Sequence, residues 1–378
     1  MIFKENLLSD SPEEKVYRFD WFSDDEKISM SHSTMILCDT MYNGEFIKTM
    51  AWGGVRTPPQ YRRNGCVRKT FEEILPRASE FGAAVSLLHP FSFSYYRKMG
   101  YERVADIIEA KFPITALDFL PRFPDLVPYD DSMLDKFLVF FEKFAKNRNT
   151  MMYRTSGKFF DGKTDLFFRS GIMMTYVLMR NDEIQGYVVY SPKKHFNGFN
   201  KMESDELLVY ELGFLDKQAL IDILGFLRMY DGELETVTLH NIAPIPEVDY
   251  VLRHYMHTKY RIVPDISARI LDTKTMLEKC KYPCQDGSFT VKINDYLPNV
   301  AGVYNVEYGN NGCKVKQLDD TSDCNIEISA ASMVQIMYGY NHIDKDTLCY
   351  ADGVKINKNA EDFFRAFPKK INGAYEFF

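Results

Sequence analysis

Residues 55–101 hold the side chains best suited to chemistry in this chain. The run Val55-Arg56-Thr57-Pro58-Pro59-Gln60-Tyr61-Arg62-Arg63-Asn64-Gly65-Cys66-Val67 reads as the end of a strand, a tight basic loop and the start of a helix. Arg-x-x-Gly at a helix start gathers backbone N–H groups and two guanidiniums around one point, and that point suits a pyrophosphate. Further on, Tyr95-Tyr96-Arg97-Lys98-Met99-Gly100-Tyr101 places a phenol on a short helix nearby.

The flanking elements must position these groups. Residues 33–37 and 46–52 read as strands around Asn43-Gly44, a strong hairpin turn. From Val67 the apolar positions Phe71, Ile74, Leu75, Ala78 and Phe81 recur at helical spacing, and Gly82 fits a C-terminal cap. Pro76 inside that pattern predicts a bend. Strands are expected at 83–88 and 106–112, followed by a connector punctuated by Pro113, Pro121, Pro124 and Pro128.

The middle of the chain repeats this order of elements. A helix is expected at 132–144, strands at 175–179, 185–190 and 207–214, a helix at 217–230, and strands at 236–240 and 260–270. The second strand-to-helix turn, Gly213-Phe214-Leu215-Asp216-Lys217, has no Arg-x-x-Gly, and its acidic residue would repel phosphate. From about 273 the texture changes, with strands expected at 287–293, 302–308, 315–318 and 324–328 and helices at 332–339 and 360–367. The expected domains are therefore 1–125, 126–272 and 273–378, and the fold class is mixed α/β (α+β).

Bulk composition bounds the function. At 378 residues, 46% apolar and 26% charged, the chain is an ordinary globular protein of two or three domains. A net charge of −7 argues against a non-specific nucleic-acid binder and is compatible with a cationic acceptor such as an amine. The basic run Arg56, Arg62, Arg63, Arg68 and Lys69 stands out against it. No signal peptide and no apolar run of membrane-spanning length are visible. Seven cysteines without regular spacing suggest reduced thiols and a cytoplasmic protein. Neither Cys280-x3-Cys284 nor His254-x-x-His257 has the partners of a metal site.

Taken together, Val55-x-Thr57-x-Pro59, Tyr61-Arg62-x-x-Gly65, the helix after it and Tyr96-x-x-x-Gly100-Tyr101 resemble the acetyl-CoA signature of the GCN5-related N-acetyltransferase (GNAT) superfamily. That resemblance implies acetyl-CoA as cosubstrate and no metal. It implies a cofactor site of Val55, Arg56, Thr57, Arg62, Arg63, Asn64, Gly65, Cys66, Val67, Arg68 and Ser92, with Tyr96 beside the thioester sulfur as general acid.

The order of the whole chain is similar to the Eis (enhanced intracellular survival) family: tandem GNAT folds, the second degenerate, then a sterol-carrier-protein-like (SCP2-like) domain. The motifs carrying the last part are 286–295, Asn299-Val300-Ala301-Gly302-Val303-Tyr304 and 323–329. In that family the C-terminal carboxylate is the general base, which here falls on Phe378. An α-carboxylate has a reference pKa near ~3.5, so it needs desolvation, a relaying water or a partly neutral amine to do this work.

The resemblance implies aminoglycosides or polyamine-like molecules as acceptors, with protein lysines as the alternative and a non-catalytic CoA- or lipid-binding scaffold as the competing class. It also implies a homo-oligomer, a hexamer in mycobacterial members. Two departures are visible. Arg62-Arg63-Asn64 stands in place of a run of arginines, and Phe91-Ser92-Phe93-Ser94 in place of a small Ser-Glu-Gly-Gly stretch, giving the acceptor pocket a more aromatic rim.

Overall fold

The structure is a computed structural model that describes residues 1–11, 14–154, 174–197, 201–252, 257–340, 344–351 and 353–376; for 193–197 and 201–204 it describes the backbone alone. Three sheets carry the architecture. The first runs in the order β1 (Ile2–Asp10), β2 (Lys15–Phe22), β3 (Ser29–Tyr42), β4 (Glu45–Arg56), β5 (Val85–Leu88), then strands Ser267–Ile270 and Glu102–Arg103. β3 and β4 form the hairpin expected at Asn43-Gly44, where both residues take positive φ.

β4 and β5 are parallel, so a crossover must join them, and helix α1 (Cys66–Ile74) supplies it. Its buried residues Cys66, Thr70, Phe71 and Ile74 lie on one face. Phe71 stacks on Trp52 of β4 with ring centroids 4.5 Å apart, and Trp21 Nε1 donates to Thr70 Oγ1 at 2.9 Å. The bend expected at Pro76 is instead an end. α1 stops at Ile74 and Pro76 sits in a separate 3-10 turn, Leu75–Arg77, because proline cannot donate to the carbonyl four residues back.

The second sheet repeats the pattern. Its order is Lys259–Pro264, Asp106–Pro113, Thr236–Leu239, Lys201–Phe214, Glu183–Asn197, Met174–Arg180 and Val127–Pro128. Lys201–Phe214 and Thr236–Leu239 are its parallel pair, joined across helix Lys217–Leu227.

The two sheets exchange strands across the sequence boundaries at 125 and 272. Asp106–Pro113 joins the second sheet and Ser267–Ile270 joins the first. The single strand expected at 260–270 is thus two strands in two sheets. Pro264 ends the first of them, and Asp265 crosses from one sheet to the other.

A third sheet, in the order Gly312–Leu318, Gly302–Gly309, Gly287–Asn294, Ile326–Ser329 and Lys355–Ile356, packs with helix Ala330–Met337. Its apolar residues are continuous with those of the first sheet in one core, while the second sheet has its own. Tyr42 Oη lies 2.9 Å from Cys280 Sγ across the first of these junctions.

The end of the chain threads back between the sheets. Ile371–Asn372 pairs in parallel with Arg148–Asn149, and Thr40 of β3 bridges Met152 antiparallel. The tail therefore runs along β3 toward the end of that strand that faces Arg56.

Candidate active site

The site begins with a bulge. Thr34 of β3 faces Gly53 of β4, but His32 faces Arg56, so β4 carries one extra residue between them. Gly54 makes this possible with φ of +57°, and a Cβ there would stand 3.2 Å from Thr34 Oγ1. Pairing of β4 with β5 ends at Trp52 and Leu88. Beyond that point β5 has ended, and the bulged backbone of 53–56 has no ladder partner on β5. Backbone groups along such a stretch can hold an extended, amide-containing arm.

The basic loop follows. Thr57 Oγ1 lies 2.8 Å from Ser31 Oγ, which pins the loop to β3. A 3-10 turn, Pro59–Tyr61, reverses the chain, and Arg62 Nε donates to the Thr57 carbonyl at 3.2 Å. Arg63 takes a φ of +67°, and Gly65 is the N-cap of α1. No side chain caps this helix and its first turn has no acidic residue. Its first amides and the positive end of its dipole thus point out of the loop. Arg56, Arg62, Arg63, Asn64 and Arg68 are all exposed around it. Arg68 also pairs with Glu72 at 3.4 Å. Cys66 and Val67 turn inward, buried and half-buried.

The phenol stands beside this cradle. Helix α2 (Phe93–Arg97) is capped by Ser92, whose hydroxyl accepts from the Tyr95 amide at 3.4 Å, so this side chain is engaged in the cap. Tyr96 is buried among Phe71, Phe91, Tyr95 and Tyr101. Burial pushes its pKa up, so the phenol stays neutral and remains a proton donor. Tyr95 is also raised by burial, and the Arg68 guanidinium pulls it back, which places α2 against the start of α1.

Gly100, which ends the tyrosine motif, has a positive φ, and a Cβ there would overlap the guanidinium of Arg269. Arg269 is fully buried, donates to Asp295 at 2.7 Å and lies 4.8 Å from the Tyr296 ring. Strand Ser267–Ile270, with Asp295 and Tyr296 against Arg269, therefore locks the turn behind Tyr96.

Two residues at this site escaped sequence reasoning. His89 follows β5 directly, and its Nδ1 lies 2.7 Å from Asp265 Oδ1. The available signal was the repeat of a histidine after the parallel strand in both halves, His89 after Leu88 and His240 after Leu239. Phe378 lies outside the described residues. The tail is described to Glu376, whose carboxylate accepts from Arg154 at 2.9 Å; Arg154 also donates to Glu211 at 2.9 Å. Of the possible metal ligands, His254 lies outside the described residues, and no group of three or more His, Cys, Asp or Glu among the described ones could hold an ion. The seven cysteines form no disulfide with one another.

Residues 12–104 match the family profile described as acetyltransferase (GNAT) domain. No curated protein matches the chain in sequence. Among solved structures, a conserved protein of unknown function from Enterococcus faecalis, described as a probable N-acyltransferase, superposes with a TM-score of 0.78 at 18% identity, over 97% of this chain and 90% of that one. A GCN5-related N-acetyltransferase from Anabaena variabilis gives 0.80 at 15% identity, over 96% and 89%. Eis1 from Mycobacterium abscessus gives 0.76 at 16% identity, over 96% and 90%. The likeness is one of fold: a mixed α/β architecture with GNAT-like folds over nearly the whole length.

Proposed function

Because residues 12–104 are a GNAT acetyltransferase domain and the protein is thereby an acyltransferase, we propose that it transfers the acetyl group of acetyl-CoA to an amine. The observation that carries this reading is the junction of three parts. The pairing of the two parallel strands ends at Trp52 and leaves the bulged backbone of 53–56 without a partner on β5, an uncapped helix start ringed by arginines follows it, and a buried neutral phenol stands nearby.

The pantetheine arm lies along the backbone of Val55. Its pyrophosphate meets the amides of 65–68 and the guanidiniums of Arg62, Arg63 and Arg68. Backbone N–H groups near 55–57 polarise the thioester carbonyl. The neutral amine attacks that carbon, the C–S bond breaks, and Tyr96 gives its proton to the departing thiolate. The carboxylate of Phe378 serves as base; the direction of the tail, along β3 toward the residues that face Arg56, supports this.

The acceptor is a cationic small molecule of the aminoglycoside or polyamine class, in keeping with the net charge of −7. The third domain serves the structure, since Phe289, Val306, Met333, Met337 and Phe363 fill its interior. The protein works in the cytoplasm as a homo-oligomer.

The test is CoA release with an aminoglycoside panel. Tyr96→Phe should lower kcat by about 10²–10⁴-fold, and deletion of Phe378 should lower it with acetyl-CoA binding kept. Wild-type rates in both variants would remove the proposed acid and base. Calorimetry showing no acetyl-CoA binding would favour a scaffold. Mass spectrometry of lysate incubated with the protein and acetyl-CoA would reveal lysine acetylation instead.

A further inference from the structure

We infer that the ring of Phe91 selects the acceptor: its open face takes the second ammonium of a di- or polyamine whose first amine is acetylated. The inference rests on the acetyltransferase reading. Phe91 is 73% exposed, and no other phenylalanine among the described residues is exposed. Phe93, two positions on, is half-buried. A single apolar side chain in water is ordinary on a protein surface. Here the surroundings of the ring give it a meaning.

The start of α2 holds the ring in place. Ser92 is the N-cap of that helix. Phe91 is thus the residue before the cap and Tyr96 the fourth residue of the helix, the two places that pack together as a hydrophobic staple. Their ring centroids are 5.4 Å apart with the planes at 71°. The Tyr95 ring is also 5.4 Å from Phe91. The staple accounts for the fixed position of the side chain. It does not account for an aromatic ring, because leucine would staple as well, nor for leaving most of that ring outside.

Tyr96 sets what the open face can meet. In the proposed reaction its hydroxyl gives a proton to the thiolate, so the amine that attacks the neighbouring carbon comes close to the same ring. An acceptor longer than its reacting amine therefore lays its remainder near Phe91. The face of a phenylalanine attracts a cation through the ring quadrupole. The arginines of α2 and of the start of α1 are offset by carboxylates: Arg97 donates to Glu102 at 2.6 and 2.9 Å, and Arg68 pairs with Glu72 at 3.4 Å.

A ring suits this place better than a carboxylate would. A carboxylate beside the reacting amine would hold it protonated and unreactive. A neutral ring attracts the distant ammonium and leaves the near amine free to lose its proton. Aminoglycosides and polyamines share the feature this requires, a second ammonium separated from the first by a spacer. Phe91 is thereby a specificity-determining residue, and the acid and base stay as assigned.

The experiment measures CoA release by the full chain with acetyl-CoA and two acceptors of equal length, cadaverine and hexylamine, beside the aminoglycoside panel. The two differ in ending on an ammonium or a methyl. The readout is the ratio of kcat/KM for cadaverine to that for hexylamine, with acetyl-CoA binding followed by calorimetry. Wild type should favour cadaverine. Phe91→Leu, which keeps the staple, should lower the ratio by about 3–30-fold, and Phe91→Trp should restore it. If Phe91→Leu does not fold, Phe91→Met takes its place. A ratio that moves by less than threefold, or a wild-type preference for hexylamine, would overturn the inference and leave the acetyltransferase reading standing. So would a loss of acetyl-CoA affinity as large as the loss of rate, which would place the ring on the cofactor. An enzyme that acetylates aminoglycosides and neither chain amine would overturn it in the same way. A wild-type protein that releases no CoA with any amine would overturn both.

Discussion

At the first sheet nine residues, 57–65, join β4 to α1; at the second, only Leu215 and Asp216 join Lys201–Phe214 to Lys217–Leu227. Both junctions lie at the end of a bulged strand beside a parallel neighbour, for Lys201–Phe214 also shifts register, between Val209 and Glu211. They differ in what meets the helix start. The amides of α1 have no side-chain cap and are ringed by arginines. The second helix is capped by Asp216, whose carboxylate accepts from Ala219 N at 2.7 Å. The strand ends differ too. In the second domain the backbone of Leu212 is bonded through both its carbonyl (2.7 Å) and its amide (3.4 Å) to the hydroxyl of Tyr375, and Asn241 donates to the Ala374 carbonyl at 2.8 Å. In the second case the chain's own carboxylate and tail meet the helix start and the strand end; in the first, none of the described side chains caps the helix. A repeated fold thus carries one uncapped, arginine-ringed helix start and one clamp.

The clamp's centre offers the sharpest way to break this comparison. Arg154 is fully buried between Glu211 and Glu376, with its guanidinium 3.8 Å from the Phe141 ring. Arg154→Met removes a guanidinium that joins these two buried carboxylates. It should cost about 3–5 kcal/mol, read as a fall in the urea midpoint, and should free the tail for proteolysis. A variant as stable as wild type would mean that the bonds of Asn372, Ala374 and Tyr375 hold the tail without Arg154.

The uncapped helix start is tested by charge. Arg62→Ala with Arg63→Ala should weaken acetyl-CoA binding by about 2 kcal/mol, some 30-fold, and flatten its salt dependence. Asp216→Ala, the mirror experiment, should cost about 0.5–2 kcal/mol of stability through the lost cap and leave the stoichiometry at one acetyl-CoA per chain, because Tyr375 still meets the strand end. A second site appearing in calorimetry would show that Asp216 alone closes the second domain.

Local chemistry was legible in the sequence where it depended on neighbours along the chain. Asn43-Gly44 fixed a hairpin, the spacing of Phe71 and Ile74 gave the buried face of α1, and Asp216 announced a junction hostile to phosphate. What escaped depends on pairings formed only in the folded state. β1 and β2 lack clean alternation, and Leu7 and Leu8 of β1 lie exposed near the edge of the sheet. The exchange of Asp106–Pro113 and Ser267–Ile270 between sheets left no local mark. His89 and Asp265 are 176 residues apart. The requirement for glycine at 100 comes from Arg269, far along the chain and in another part of the fold. Tyr375 reads as one more aromatic until its hydroxyl is seen on Leu212.

The smallest expected effect concerns the balance of charge in the clamp, which among the described residues sets two carboxylates against one guanidinium. Burial raises the pKa of Glu211 and the neighbouring Glu376 raises it further, while Arg154 and the hydroxyl of Tyr187 act in the other direction. The folded protein therefore holds this proton to a higher pH than the unfolded chain, whose reference value is 4.5. The stability this gives is fully present below that value and is lost as pH rises through the folded one, with a slope of at most about 1.4 kcal/mol per pH unit. Glu211→Gln removes the titration and keeps an acceptor for Tyr187, which donates to Glu211 at 2.5 Å. The variant should thus gain on wild type as pH rises from 4.5 to 8, by a kcal/mol or so. Denaturation curves that stay parallel over that range would mean that Glu211 carries its charge in the folded and the unfolded protein alike.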